Sequence, residues 1–161
     1  MSDDSLVSVV IPTYYRNDRL RGAIESVLAQ TQPTELVVVD DSGEGHANSV
    51  VDEYDLTYVE LGSNLGSNPA RSVGAERASG EYVQFLDDDD RLLPTKLAKQ
   101  VALCERTGRE VAYCGMTYED HTTILPDSAA RGDVLARALD LPVAVCHLDD
   151  ARRARGARSG V

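Results

Sequence analysis

Glu81-Tyr82-Val83-Gln84-Phe85-Leu86-Asp87-Asp88-Asp89-Asp90 is an apolar strand that runs without a break into four carboxylates. A β-rich segment of that length, closed by charge, reads as a buried strand whose carboxyl end meets water. The same pattern occurs upstream: Leu6 to Ile11 is stopped by Pro12, and Glu35 to Val39 by Asp40-Asp41-Ser42-Gly43. Between these two, Asp18 is placed to cap a helix whose Leu20, Ile24, Val27 and Leu28 form one apolar stripe. Leu56 to Leu61 reads as a third, weaker strand, followed by the Gly/Asn-rich stretch Gly62 to Asn68. A small-residue helix then carries Ala70, Val73, Ala75 and Ala78, with Pro69 tolerated in its first turn. Beyond the acidic stretch a helix is expected from about Pro94, with Leu97, Val101 and Cys104 inward and Lys96 and Lys99 outward. Val111 to Cys114 and Met116 to Tyr118 are short strand candidates, with a hairpin turn at His121-Thr122-Thr123, and Asp133 to Leu139 a short helix. Strands alternating with helices at this spacing predict an α/β fold: right-handed βαβ units, a largely parallel sheet covered on both faces, and binding groups beyond the carboxyl ends of the strands.

The chain has 161 residues, a length suited to one domain. Sixteen Lys and Arg against 27 Asp and Glu give a net charge of -11. That sign excludes gripping nucleic acid or an anionic membrane face by bulk electrostatics. The longest apolar runs, such as Leu36 to Val39, fall far below the roughly 20 residues needed to cross a bilayer, so no transmembrane segment is expected. Met1 to Ser5 is acidic and unlike a signal peptide, which points to a cytoplasmic protein. Cys104, Cys114 and Cys146 are odd in number and widely spaced, against a disulfide framework. Asp outnumbers Glu by 17 to 10 and only two residues are Lys, a balance that resembles halophilic surfaces; an acidic protein with an arginine-rich coding bias gives the same. Leu141 to Cys146 has no clear partner, and Ala151 to Val161 holds four arginines and no acid. A boundary is therefore expected near residue 140, with 141–161 an atypical arginine-rich tail that reads as disorder or as an arm for an acidic partner.

Three strand ends carry the candidate chemistry. Like charges as close as Asp87 to Asp90 raise one another's pKa values, and a divalent cation such as Mg²⁺, sharing its coordination with phosphate oxygens, relieves the repulsion. In an extended stretch Asp87 and Asp89 point to one side. A solvated acidic turn is the plain alternative. Asp40 and Asp41 could accept from a base edge or a sugar hydroxyl, with Thr13 and Tyr15 leaving the first strand beside them. Arg71, at the head of its helix, could pair with the acids or with an anionic ligand. Gly62-Ser63-Asn64-Leu65-Gly66 is neither a dinucleotide fingerprint nor a P-loop. No nucleophile motif or zinc spacing occurs, and His46, His121 and His147 are given no role.

Taken together, Val9-Val10-Ile11-Pro12-Thr13-Tyr14-Tyr15-Arg16, Ser26-Val27-Leu28-Ala29-Gln30-Thr31, Val38-Val39-Asp40-Asp41-Ser42, Asn64-Leu65-Gly66, Ala70-Arg71, Gly80-Glu81-Tyr82 and Phe85 to Asp90 resemble the nucleotide-sugar half of a family 2 glycosyltransferase. The resemblance covers about residues 6–105. It implies a GT-A-like, Rossmann-type three-layer α/β/α sandwich with a mostly parallel central sheet, residues 1–140 forming a nucleotide-sugar-binding domain. It also implies transfer of a sugar, with inversion, from a nucleoside-diphosphate sugar, commonly a UDP-sugar, to an unknown sugar or lipid-linked acceptor at the inner membrane face. By the same resemblance Thr13, Tyr15 and Asp41 surround the base, Arg71 lies near the nucleotide, Asp87 or Asp88 approaches the ribose, and Asp89 of the DxD region holds Mg²⁺ or Mn²⁺. Arg16 lies beside the motif and is given no role. The acceptor's base is expected in a half that this chain does not convincingly supply. Glu119-Asp120 and Asp149-Asp150 are the acidic pairs available, and neither has a suitable setting. The alternative to an enzyme is a catalytically incomplete nucleotide-sugar-binding module; a nucleotidyltransferase is a weaker third reading, lacking a glycine-rich basic loop near Thr13.

Overall fold

The computed structural model describes residues 5–119, 121–124 and 144–147. The elements run β1 (Val7–Thr13), α1 (Asn17–Leu28), β2 (Thr34–Asp40), α2 (Asn48–Val51), β3 (Thr57–Glu60), α3 (Ser67–Arg77), β4 (Tyr82–Phe85), α4 (Lys96–Thr107), β5 (Val111–Tyr113), β6 (Met116–Thr117), β7 (Thr123–Ile124) and β8 (Ala144–His147). Strand β1 pairs in parallel with β2 on one side and β4 on the other, and β2 with β3. Strand β8 enters antiparallel between β4 and β5, giving the order β3-β2-β1-β4-β8-β5. Strands β6 and β7 form the expected hairpin apart from this sheet, with Tyr118 N–H donating to Thr122 O at 2.9 Å.

Alternation along the strands makes two cores and hence three layers. Val7, Val9, Ile11, Leu36 and Val38 pack on one face with Leu20, Ile24, Leu97 and Val101 of α1 and α4. Val10, Val37, Val39, Val83 and Phe85 fill the other face with Ala70 and Ala75 of α3. Helix α3 lies close because Gly74 has no side chain: a Cβ there would collide with the Val10 side chain and meet Val39 Cγ2 at 3.1 Å. The α/β/α sandwich with a mostly parallel sheet is therefore the fold of this chain.

Several local expectations change. Pro12 does not end β1, which continues to Thr13 in register with Asp40. Its missing N–H would have faced β4, but that ladder ends where Leu86 N–H donates to Val10 O, so no bond is lost. Asp18 lies in the first turn of α1, and Arg16 holds the cap position without a side-chain cap bond. Leu28, expected in the apolar stripe, is exposed. Lys96 is half-buried, its Nζ donating to Oε1 of the buried Gln84, while Lys99 is exposed as expected. The stretch Leu141 to Cys146, which showed no partner, contributes residues 144–146 to β8 between β4 and β5. The predicted helix at Asp133 to Leu139, Asp120, the Asp149-Asp150 pair and the arginine-rich segment lie outside the described residues. Among the described residues no helix is long and apolar enough to cross a membrane.

Candidate functional site

Strands β1, β2 and β4 end at one edge of the sheet. From β1 the chain steps outward to β2 and β3, then returns to place β4 on the far side of β1. The crevice between β1 and β4 is thus the point where strand order reverses, the place where open α/β sheets bind ligands. A cavity of about 350 Å³ opens there. Thr13, Asp41, Arg71, Asp87, Asp88 and Asp89, six of the seven site residues named from sequence, line it together.

The seventh, Tyr15, lies outside that lining. Its backbone is left-handed at φ +54°, and its hydroxyl donates to Glu44 Oε1 at 2.8 Å, which pushes the phenol up to about 12. Its ring contacts His46, whose Nδ1 is 3.1 Å from Asn17 Oδ1, so these residues form an outer rim. Tyr14 lines the cavity instead, edge-on to Tyr15 with ring centroids 4.7 Å apart. The turned backbone at Tyr15 decides which of two adjacent tyrosines faces inward.

Asp40 and Asp41 also divide their work. Asp40 is fully buried and accepts from Ser42 N–H at 2.9 Å, Ala47 N–H at 2.8 Å and the Tyr58 hydroxyl at 2.8 Å. Burial pushes its carboxyl up, but these donors outweigh burial and hold it below the usual range. It is the anchor of the β2–α2 loop, not a ligand group. Asp41 faces the cavity, and its two oxygens accept from Leu65 N–H and Gly66 N–H, each at 2.7 Å. It thereby ties the Gly62 to Gly66 segment to the end of β2, with Gly66 at φ +91° immediately before α3. Each oxygen keeps a second lone pair for a ligand.

The acidic stretch is not extended. Asp88 and Asp89 form a turn closed by Asp90 N–H on Asp87 O at 3.0 Å, so Asp87 and Asp89 take different partners. Thr13 Oγ1 donates to Asp88 Oδ2 at 2.8 Å. Arg16 Nη1 reaches Asp88 Oδ1 at 3.2 Å and Asp89 Oδ2 at 2.9 Å, and Arg19 Nη1 reaches the same Asp89 oxygen at 3.3 Å. Asp87 is bonded to Arg71 Nη2. Burial still pushes the Asp88 carboxyl up against the opposing pull of Thr13 and Arg16. Burial, then the charges of Asp87, Asp89 and Asp88, push Asp90 up as well. The repulsion that suggested a cation is answered here by guanidinium groups. Among the described residues no three His, Cys, Asp or Glu side chains converge as a metal-ligand set.

Arg71 lines the cavity with its side chain only 11% exposed, and its Nε is buried without a hydrogen-bond partner. Ser26 in the last turn of α1 and Gln30 just beyond the helix form a brace. Ser26 Oγ accepts from Leu92 N–H at 3.1 Å, and Gln30 donates to Leu93 O at 2.8 Å, pinning the chain just after Asp90. Sequence reasoning passed over Tyr14, Arg16 and Ser67, which also line the cavity. The available signal was an acidic stretch in need of nearby cations. Glu119 is exposed and does not line the cavity.

The sequence profile described as Glycosyl transferase family 2 matches residues 8–150. A putative teichuronic acid biosynthesis glycosyltransferase, TuaG, of Bacillus subtilis (strain 168) is 37% identical over 102 residues, 60% of this chain and 40% of its own. The glucosyl-dolichyl phosphate glucuronosyltransferase of Haloferax volcanii is 36% identical over 132 residues, 78% of this chain and 40% of its own. The UDP-Glc:alpha-D-GlcNAc-diphosphoundecaprenol beta-1,3-glucosyltransferase WfgD of Escherichia coli is 34% identical over 105 residues, 63% of this chain and 42% of its own. The chain thus spans about two fifths of the length of these relatives. Among solved structures, S. aureus TarS 1-349 superposes with a TM-score of 0.73 at 23% identity, covering 88% of this chain and 47% of that one. This last likeness concerns the fold.

Proposed function

Because this chain belongs to glycosyl transferase family 2, we propose that its described residues form a donor-binding unit, a nucleotide-sugar-binding module that supports sugar transfer only with an acceptor half. One observation carries the reading: Thr13, Asp41, Arg71 and Asp87 to Asp89, from four separate segments, meet in one cavity at the sheet's switch point. Asp41 takes an N–H of the base on its spare lone pairs, with Tyr14 rather than Tyr15 as the aromatic wall. The free Nε–H of Arg71 meets the ribose or a phosphate oxygen, and Asp87 and Asp88 receive ribose hydroxyls. The names of the relatives WfgD and the H. volcanii glucuronosyltransferase support a UDP-sugar donor and a lipid-linked acceptor, with inversion as the family's usual outcome.

For a divalent cation the donor chemistry fits at one residue. Mg²⁺ takes one or two carboxylates and fills its remaining positions with water and phosphate oxygens, so a cage of three side chains is not required. Asp89, one-third exposed at the cavity, would hold the Mg²⁺ or Mn²⁺ once released from Arg16 and Arg19. When bound there, the ion supplies positive charge against the diphosphate leaving group. Transfer further requires a base within about 3 Å of the attacking hydroxyl. Among the described residues the carboxylates lining the cavity are Asp41 and Asp87 to Asp89, all given to the donor, which favours binding over turnover.

Calorimetric titration with UDP and GDP in Mn²⁺ is the test. UDP is expected to bind more tightly than GDP, and Asp89→Ala to weaken binding in metal. Failure of both nucleotides to bind removes the function; equal binding with and without metal and with Asp89→Ala removes the cation from it.

A further inference from the structure

The cavity is lined by four carboxylates, Asp41, Asp87, Asp88 and Asp89, and by two guanidinium groups, Arg16 and Arg71. An anionic ligand entering this field is repelled unless a cation can turn toward it. Arg71 is enclosed and tied to Asp87 and Asn68. Arg16 differs in three respects. Its side chain is 52% exposed, it reaches Asp88 and Asp89 through Nη1 alone, and its Nε and Nη2 make no hydrogen bond among the described residues. A guanidinium held by one nitrogen of a five-donor fork keeps most of its hydrogen-bonding capacity for a second partner.

Resting on the donor-binding reading above, we propose that Arg16 is a phosphate-binding residue. It exchanges its carboxylate partners for the phosphate oxygens of the nucleotide, and by leaving Asp89 it opens that carboxylate to a divalent cation. The exchange replaces two charge-assisted bonds that share a single nitrogen by others of the same kind in bidentate geometry. The Asp89 oxygen given up by Arg16 is left on Arg19 alone, at 3.3 Å and with Arg19 66% exposed, a weak hold that a cation can displace. Arg16 therefore opposes the cation before the nucleotide arrives and favours the nucleotide when it does. Since affinity coupling between two ligands is reciprocal, nucleotide and cation strengthen each other through this one side chain.

Two binary titrations on the purified chain test this, because they are expected to move in opposite directions. In EDTA, Arg16→Ala is expected to weaken UDP about tenfold, the loss of one charged hydrogen bond. With no nucleotide present, the same substitution is expected to tighten Mn²⁺ several-fold, read from the electron paramagnetic resonance signal of free Mn²⁺. A structural role for Arg16 would weaken both, and that result, or no change in either, overturns the proposal. Arg16→Gln, close in length and neutral, replaces the alanine variant if the latter fails to give the wild-type thermal transition. Wild-type protein that binds neither UDP nor GDP brings down the donor reading and this inference together. Wild-type binding with unchanged Arg16→Ala affinities brings down this inference alone.

Discussion

Asp41→Asn changes one atom in the anchor of the loop that leads into α3. In the wild type each carboxylate oxygen accepts a backbone N–H at 2.7 Å, and the residue is 4% exposed. Asparagine keeps one acceptor and turns an NH₂ toward the other amide, so one bond becomes neutral and one becomes donor against donor. Hydrogen bonds to charged groups contribute about 1.5–3 kcal/mol each, and the combined loss is about 2–4 kcal/mol. That cost is local, because the two amides belong to one short segment rather than to the sheet. Native-state hydrogen exchange at Leu65 and Gly66 is expected to accelerate about 30- to 700-fold, the same energy at 1.4 kcal/mol per decade. Since Gly66 O receives the Ala70 N–H at 3.2 Å in the first turn of α3, and Arg71 follows directly, UDP and GDP affinities are expected to fall together. Unchanged exchange at both amides refutes the anchoring argument. Loss of UDP with GDP untouched and exchange unchanged would show that Asp41 only reads the base.

Gly74→Ala is expected to destabilise the protein by about 1–3 kcal/mol in urea unfolding, because overlap with Val10 outweighs the ~1 kcal/mol gain in helix propensity; Val10→Ala in the same chain should recover part of it. Tyr58→Phe removes one donor from Asp40, whose lowered pKa contributes stability that is present above the ordinary Asp range and lost as pH falls through the folded value. The acid-unfolding midpoint of that variant is expected at higher pH, and an unmoved midpoint counts against the Asp40 anchor. Asp88 has a raised pKa, so the native state holds its proton more tightly than the unfolded chain and stability declines as pH rises through the folded value. Asp88→Asn, which still accepts from Thr13, is expected to melt at a higher temperature than wild type at neutral pH while binding UDP less well. With a net charge of -11, the melting temperature is expected to rise between about 0.1 and 2 M KCl, and a steady fall would remove the salt-adapted reading.

Strands β1, β2 and β4 were legible because each is an apolar run closed by polar residues, a purely local pattern. Six lining residues were legible because they belong to those strand ends or to the head of the next helix. What escaped were decisions made by neighbours distant in sequence. Nothing near Leu141 to Cys146 says that β4 and β5 flank it, since strand pairing is set across the sheet. Arg16 meets Asp88 across 72 positions, and only the return of β4 beside β1 brings them together. The choice between Tyr14 and Tyr15 depends on one left-handed residue, and that between Asp40 and Asp41 on which side of β2 each end residue faces. Pro12 misled for the opposite reason: the rule that proline ends a strand assumes a neighbour waiting for its N–H, and β4 has already parted from β1 there.

The placement of β8 also bears on synthesis. Strand β4, which delivers the acidic turn, has β1 on one edge and β8 on the other, and β8 begins 59 residues after Phe85 (144 − 85). At about 5–20 residues per second on the ribosome, roughly 3–12 s pass with the second edge of Tyr82 to Phe85 unpaired while β1 to β3 are already available to fold. An open edge of buried-type residues is a template for foreign strands during that interval. A nascent chain arrested before residue 144 is therefore expected to engage holding chaperones through β4, and one released after residue 147 to do so far less.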